Sequence, residues 1–249
     1  MNVYTMIPSE FYLMRKDTLT RQLDELPVIR SGLRRTNPVL RIYDDSHKKY
    51  REISHNSSSW KRFEKIFNRR SGLEHHILRI NSILAHRHER RDHSYVIVNT
   101  DNQFDNDFYD SLVDSSCTWK KESKYYYNGR NYRSRAEMIY ATILDELGLE
   151  FKYDVNVTFH GKTFSVDFVI VIREFNRCVF VEYFGKCSDA GYNHDNMTKL
   201  EYAQADGVYI GRDLFIFSGD ITYAPGTDLI RAQLSSIVSQ LAAYHIKSG

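Results

Sequence analysis

The sequence predicts an α/β protein in which helices flank a mixed central β-sheet, preceded by a basic, mainly α-helical N-terminal region. Beyond residue 133, helical and strand-like patterns follow one another in the order α-β-β-β-α-β-β-α. Charge is also uneven, since residues 1–133 carry a net charge of +7 and residues 134–249 a net charge of −5. We therefore expect two domains, 1–118 and 119–249, with the basic one binding a polyanion.

The N-terminal region contains a hairpin-like stretch and a helical stretch. "VLRIYDDSHKKYREIS" predicts two strands that turn at residues 44–48. The segment from Trp60 has apolar residues at helical spacing, and we expect Gly72 to interrupt it. "SYVIVNT" predicts a short strand. Basic residues on the outer face of the helix are candidates for phosphate contacts: Lys61, Arg62, Arg69 and Arg70.

A stretch of mixed cations and aromatics, "WKKESKYYYNGRNYRSR", begins the second domain. Tyr125–Tyr127 are candidates for stacking on bases, while Arg130, Arg133 and Arg135 are candidates for neutralising phosphates. The alternative is a loop whose tyrosines pack on the rest of the domain.

The second domain gives the clearest pattern. Ser134 is placed to cap a helix that Gly148 follows. "FKYDVNVTF" and "KTFSVDFVIVI" predict strands that turn at His160–Gly161, and "CVFVEYF" predicts the next strand. A helix over 192–205, the strands "VYI" and "LFIF", and a helix over 227–246 complete the order.

Three acidic residues stand in apolar surroundings. Asp167 lies within one predicted strand, Glu182 ends an apolar run on the next, and Glu137 lies in the first turn of the preceding helix. A buried carboxylate is costly unless it is paired or bound to a metal. Together the three predict an oxygen-ligand site of the kind that Mg²⁺ uses with a phosphate substrate. The alternatives are a capping box for Glu137, a solvent-facing Asp167 and an edge-strand Glu182.

The elements "SRAE" (134–137), "VDF" (166–168) and "EYFG" (182–185) resemble the motifs of the PD-(D/E)XK nuclease superfamily, over roughly 132–217. The resemblance implies a restriction-endonuclease-like fold and cleavage of phosphodiester bonds in DNA that depends on Mg²⁺ or Mn²⁺. It also implies that Asp167 and Glu182 bind the metal and that Glu137 helps to position the metal or its water.

The lysine of the superfamily motif is replaced by Phe184 in this chain. Two lysines are candidates for its role: Lys186, beyond Gly185, and Lys199 in the following helix, where some superfamily members carry a relocated lysine. Of the two we favour Lys199.

Several functional alternatives stay open. The enzyme could be a site-specific endonuclease of a phage or mobile element, of the homing, transposition or junction-resolving kind, or it could cleave RNA. A third alternative is a catalytically silent nucleic-acid-binding module. The resemblance also raises a homodimer, because many such nucleases cut two strands as dimers.

Composition excludes a transmembrane protein, since no apolar run approaches the ~20 residues that span a bilayer. The N-terminus lacks the pattern of a signal peptide. Three cysteines without metal-type spacing favour reduced thiols. We therefore expect an intracellular protein in the cytoplasm of a bacterium or of a phage host.

Overall fold

The structure is a computed structural model that describes residues 7–85, 95–97, 102–115, 123–220 and 225–248. The chain divides into two compact units, one of residues 12–88 and the other of residues 1–11 with 89–249. No helix in the described part of the chain is long and apolar enough to cross a membrane.

The smaller unit combines two helices with a three-stranded sheet. Its elements are α1 (Ser9–Asp24, whose first turn belongs to the larger unit), β1 (Ile29–Arg34), β2 (Asn37–Asp44), β3 (Lys49–Ser54) and α2 (Trp60–Ala85). The strands are antiparallel in the order β1-β2-β3. The apolar face of the sheet packs on the start of α2, where Trp60 joins Leu40 and Ile53 in one cluster.

The predicted hairpin that turns near residue 45 is present, and a third strand, β1, which was not predicted, pairs with it. One expectation for this unit is wrong. Gly72 does not interrupt the helix, because α2 continues through it to Ala85. A glycine inside a helix costs only about 1 kcal/mol, and burial of Leu73 and Ile80 on the following turns offsets that cost.

The larger unit is built on a four-stranded mixed sheet. The N-terminal elements of the unit are β4 (Tyr95–Ile97), α3 (Asn106–Ser111) and the hairpin strands β5 (Tyr125–Tyr127) and β6 (Arg130–Tyr132). The remaining elements are α4 (Arg135–Glu146), β7 (Glu150–Phe159), β8 (Lys162–Ile172), β9 (Arg177–Phe184), α5 (Ala190–Ala205), β10 (Leu214–Ser218), α6 (Thr227–His245) and β11 (Ile246–Ser248). Strand order is β10-β9-β8-β7, with β7, β8 and β9 antiparallel and β10 parallel to β9.

Helices cover both faces of this sheet, as predicted. On one face, Tyr140 of α4 packs against the rings of Phe168 and Phe217. On the other, Leu200 of α5 belongs to a cluster with Val169 and Phe180. The sheet is therefore buried on both faces, which explains the long apolar runs of β8 and β9.

Two details differ from the expectation. "VYI" forms no strand, and only an isolated bridge links Ile210 to Leu214. Phe104 and Tyr109, from the region assigned to the N-terminal domain, are part of the core cluster of the four-stranded sheet. The predicted boundary between residues 118 and 119 falls within 116–122, outside the described residues, and stays a prediction.

Candidate active site

Asp167 and Glu182 lie opposite each other where β8 and β9 separate. The backbone pairing of these strands ends with Phe168 and Val181. One step further, the Asp167 carboxylate accepts a hydrogen bond from the backbone N–H of Tyr183 at 2.9 Å. Both acids are buried, with 5% of Asp167 and 3% of Glu182 exposed. The Asp167 side chain thus accepts the hydrogen bond that a backbone carbonyl oxygen of β8 would accept in a continued strand pair. Two carboxylates are gathered where the pairing of β8 with β9 ends.

Glu137 of α4 reaches the same place, where the pairing of β8 with β9 ends. Ser134 caps this helix as predicted, because its hydroxyl accepts from the backbone N–H of Glu137 at 3.2 Å. The Glu137 carboxylate is itself buried and accepts a hydrogen bond from the Tyr153 hydroxyl of β7 at 2.5 Å. The carboxylate therefore takes part in a buried network, which the capping-box alternative alone does not explain.

Arg133 connects two of these acids. Its guanidinium contacts Asp167 Oδ1 at 2.5 Å and Glu137 Oε1 at 3.2 Å. Its backbone N–H donates to the Tyr153 hydroxyl at 2.8 Å, so that Tyr153 holds both the backbone of Arg133 and the carboxylate of Glu137. The arginine side chain remains 46% exposed.

The structure separates the two candidate lysines. The ammonium group of Lys199 on α5 forms an ion pair with Glu182 and donates to the Ser165 carbonyl oxygen at 2.5 Å. Lys186, in contrast, is exposed in the loop after β9. Phe184, where the resemblance to the superfamily implies a lysine, is buried in the core cluster next to Tyr192. A lysine at that position would place its charge in an apolar core, whereas Lys199 brings an ammonium group to the acids from a helix.

Burial raises the pKa values of Glu182 and Glu137. It raises the pKa of Glu182 to about 7; the nearby charge of Lys199 opposes this rise and that of Asp167 adds to it. Burial and the charge of Asp167 also raise the pKa of Glu137, against the effect of Arg133. Burial lowers the pKa of Arg133, but the charges of Asp167 and Glu137 more than offset this and raise it overall.

The predicted nucleic-acid contacts are distributed over both units. Within the smaller unit, Lys61, Arg62 and Arg69 are exposed on α2. Arg70 is half-buried and donates to the carbonyl oxygens of Leu23 and Leu26.

In the larger unit, Arg130 is half-buried on β6 and Arg135 is exposed in the first turn of α4. Of the three hairpin tyrosines, Tyr126 is 65% exposed, whereas the Tyr127 hydroxyl donates to Asp145 at 2.8 Å. Tyr126 is therefore the most exposed of the three tyrosines.

Sequence reasoning misses two contributions to the site. It places Tyr153 only as a strand residue and Arg133 only as a phosphate contact. The position of Tyr153 on β7 next to α4 becomes apparent only once the sheet is assembled. Nothing in the local pattern of "FKYDVNVTF" indicates that its hydroxyl contacts Glu137.

The donor chemistry suits a hard divalent cation, because carboxylates from two neighbouring strands and a helix meet at one place. Nevertheless, within the described residues no group of three or more His, Cys, Asp or Glu side chains is spaced to hold a metal ion. The acids contact cations of the chain: Arg133 pairs with Asp167 and Glu137, and Lys199 pairs with Glu182. Each of the three acids thus contacts a side-chain cation of the chain itself.

Comparison with models of protein families, with curated proteins and with solved structures gives no significant match.

Proposed function

We propose that this protein is a metal-dependent endonuclease of PD-(D/E)XK type that hydrolyses phosphodiester bonds in DNA. One observation carries the proposal: Asp167, Glu182, Glu137 and Lys199, from two strands and two helices, are gathered where the pairing of β8 with β9 ends. Buried acids with perturbed pKa values are concentrated at functional sites. RNA is the alternative substrate.

Each residue has a role in the proposed reaction. Asp167 and Glu182 would hold Mg²⁺ or Mn²⁺, with Glu137 supporting the metal or its water. When bound, the metal supplies positive charge that polarises the scissile phosphate and makes a water molecule more acidic. Lys199, held by the Ser165 carbonyl oxygen, would orient the attacking water and stabilise charge developing on the phosphate.

The excess of positive charge in residues 1–133 supports a nucleic-acid substrate. Exposed cations on α2 of the smaller unit would contact phosphates without reading sequence. In the larger unit, the hairpin of β5 and β6 leads directly into Arg133, so Tyr126 is connected through a short segment to the candidate site. The smaller unit would thus provide affinity, and the larger unit the chemistry.

A cleavage panel tests the proposal. Supercoiled plasmid, linear duplex, branched DNA, single strands and RNA are incubated with Mg²⁺ or Mn²⁺. We expect cleavage of DNA that EDTA and Asp167→Asn abolish. Preference for branched DNA would favour a junction-resolving enzyme, and cleavage at one sequence would favour a homing or transposition enzyme. Preference for RNA would show that RNA, and not DNA, is the substrate. No cleavage of any substrate would contradict the proposal.

A second candidate function, a catalytically silent nucleic-acid-binding module, is favoured by the pairing of all three acids with cations of the chain itself. It predicts binding without cleavage, and binding that survives Asp167→Asn.

A further inference from the structure

We infer that Arg133 and the divalent metal compete for the same carboxylate oxygens, so that Arg133 controls entry of the metal. This inference rests on the proposed function and concerns the regulation of that same site. It follows from the position of the guanidinium, which contacts Asp167 Oδ1 at 2.5 Å and Glu137 Oε1 at 3.2 Å. These oxygens belong to two of the three acids proposed for the metal.

Charge balance supports competition. When all three acids are ionised, as metal ligands are, three carboxylates face two cations, Arg133 and Lys199. A divalent metal added beside both cations would leave one positive charge in excess in a buried environment, which is costly. If the Arg133 guanidinium moved away, the charges of the metal, Lys199 and the three carboxylates would sum to zero. The metal is therefore accommodated best when the guanidinium has moved away.

The two cations differ in how firmly they are held. Lys199 is 13% exposed, and its ammonium group is also fixed by the Ser165 carbonyl oxygen. The Arg133 side chain is 46% exposed, and its guanidinium hydrogen bonds are to the two carboxylates. Its backbone is held by Tyr153 at 2.8 Å. The guanidinium can thus move to solvent, or to a phosphate of the substrate, while the backbone stays in place.

The arrangement gives the enzyme a stable form without metal. Arg133 neutralises acids that would otherwise repel each other, and a polyanion that attracts the guanidinium would release them. Metal binding and nucleic-acid binding would then assist each other through this single side chain.

Mn²⁺ binding in the absence of nucleic acid tests the inference. Calorimetry with the full chain compares wild type, Arg133→Gln and the matched control Arg135→Gln, which removes an exposed cation two residues away. We expect Arg133→Gln to bind Mn²⁺ at least about tenfold more tightly than wild type, since a competing charge in direct contact is removed. Arg135→Gln should bind as wild type does. Arg133→Gln should also melt at a lower temperature in EDTA and recover most of the difference in saturating Mn²⁺.

If wild type and Arg133→Gln bind Mn²⁺ with equal affinity, the inference that Arg133 competes with the metal is wrong. The proposed function would not be affected by that result. Absence of Mn²⁺ binding in all three proteins would contradict the proposed function, and the competition with it. If Arg133→Gln does not fold, wild type provides the test through the Arg133 Nε–H signal in NMR. Its hydrogen exchange should become faster on addition of Mg²⁺, and unchanged exchange in protein saturated with Mg²⁺ would overturn the inference.

Discussion

Lys199 of α5 forms an ion pair with the buried carboxylate of Glu182 on β9, and it also donates to the Ser165 carbonyl oxygen of β8. The ammonium group therefore joins the crossover helix to both strands that carry the acids. This contact places a lysine beside the acids although the motif position carries Phe184.

If the proposed function holds, Lys199→Met is predicted to lower the cleavage rate by about 100-fold or more, because it removes the cation proposed to stabilise charge on the phosphate. Lys186→Met is the matched control, since Lys186 is exposed in the loop after β9. Rates are measured by nicking of supercoiled plasmid at saturating Mn²⁺. Loss of activity in Lys186→Met but not in Lys199→Met would reverse the assignment.

Glu182 is predicted to make the metal-free protein less stable as pH rises from 5 to 8. Its pKa is raised from 4.5 to about 7, so within this interval the folded state keeps a proton that the unfolded chain has released. Raising the pH therefore favours unfolding, by about 3 kcal/mol for a shift of this size. Glu182→Gln should lose less stability than wild type over the same range.

Urea unfolding in EDTA at pH 5, 6, 7 and 8 measures this difference. Glu201→Gln, at an exposed position of α5, is the control and should follow wild type at every pH. Parallel stability curves for Glu182→Gln and wild type would show that Glu182 does not hold its proton in the folded state.

Tyr153→Phe is predicted to lower the free energy of unfolding by about 1–3 kcal/mol, because the buried hydroxyl satisfies both Glu137 and the backbone N–H of Arg133. Tyr209→Phe, at a position that is 54% exposed, should change little. Thermal unfolding of the two variants makes the comparison, and equal melting temperatures would rule out the network as a source of stability.

Tyr126→Ala is predicted to weaken binding of single-stranded nucleic acid by about 1–3 kcal/mol without lowering the melting temperature. Its side chain is exposed on β5, where it can stack on a base. Fluorescence anisotropy in EDTA, with Tyr209→Ala as control, measures the effect. Unchanged affinity would assign the hairpin a structural role.

Neutralising Lys61, Arg62 and Arg69 together is predicted to reduce the dependence of DNA affinity on salt. The slope of log affinity against log salt concentration should become less negative, by up to about 0.9 for each phosphate that these cations neutralise in the wild type. Arg70→Gln should instead lower stability, because Arg70 donates to the carbonyl oxygens of Leu23 and Leu26. Binding isotherms between about 50 and 200 mM salt distinguish the two variants. An unchanged slope in the triple variant would exclude these three cations from the interface.

The strands and helices of the larger unit can be predicted because local signals and burial agree there. Both residues of the turn at His160–Gly161 have positive φ, a conformation that glycine favours in two-residue hairpin turns. Strands β8 and β9 are apolar because helices cover both faces of the sheet. In the smaller unit the signal is weaker. β1 is short and mostly exposed, so no alternating pattern reveals it.

The site can be predicted as a set of acids but not as a network. Asp167 and Glu182 are conspicuous because carboxylates are rare in apolar strands. The ion pair of Arg133 with Asp167 joins residues 34 positions apart in the chain. Such pairs depend on the register of the sheet and on the position of α4, which local periodicity does not determine.

Metal-dependent cleavage by the gathered acids is tested most directly by nicking of supercoiled plasmid. Wild type and Asp167→Asn are each incubated with Mn²⁺ and with EDTA. We predict nicking by wild type with Mn²⁺ alone, and none by Asp167→Asn in either condition. Nicking by Asp167→Asn at the rate of wild type, or by wild type in EDTA, would contradict the proposed function.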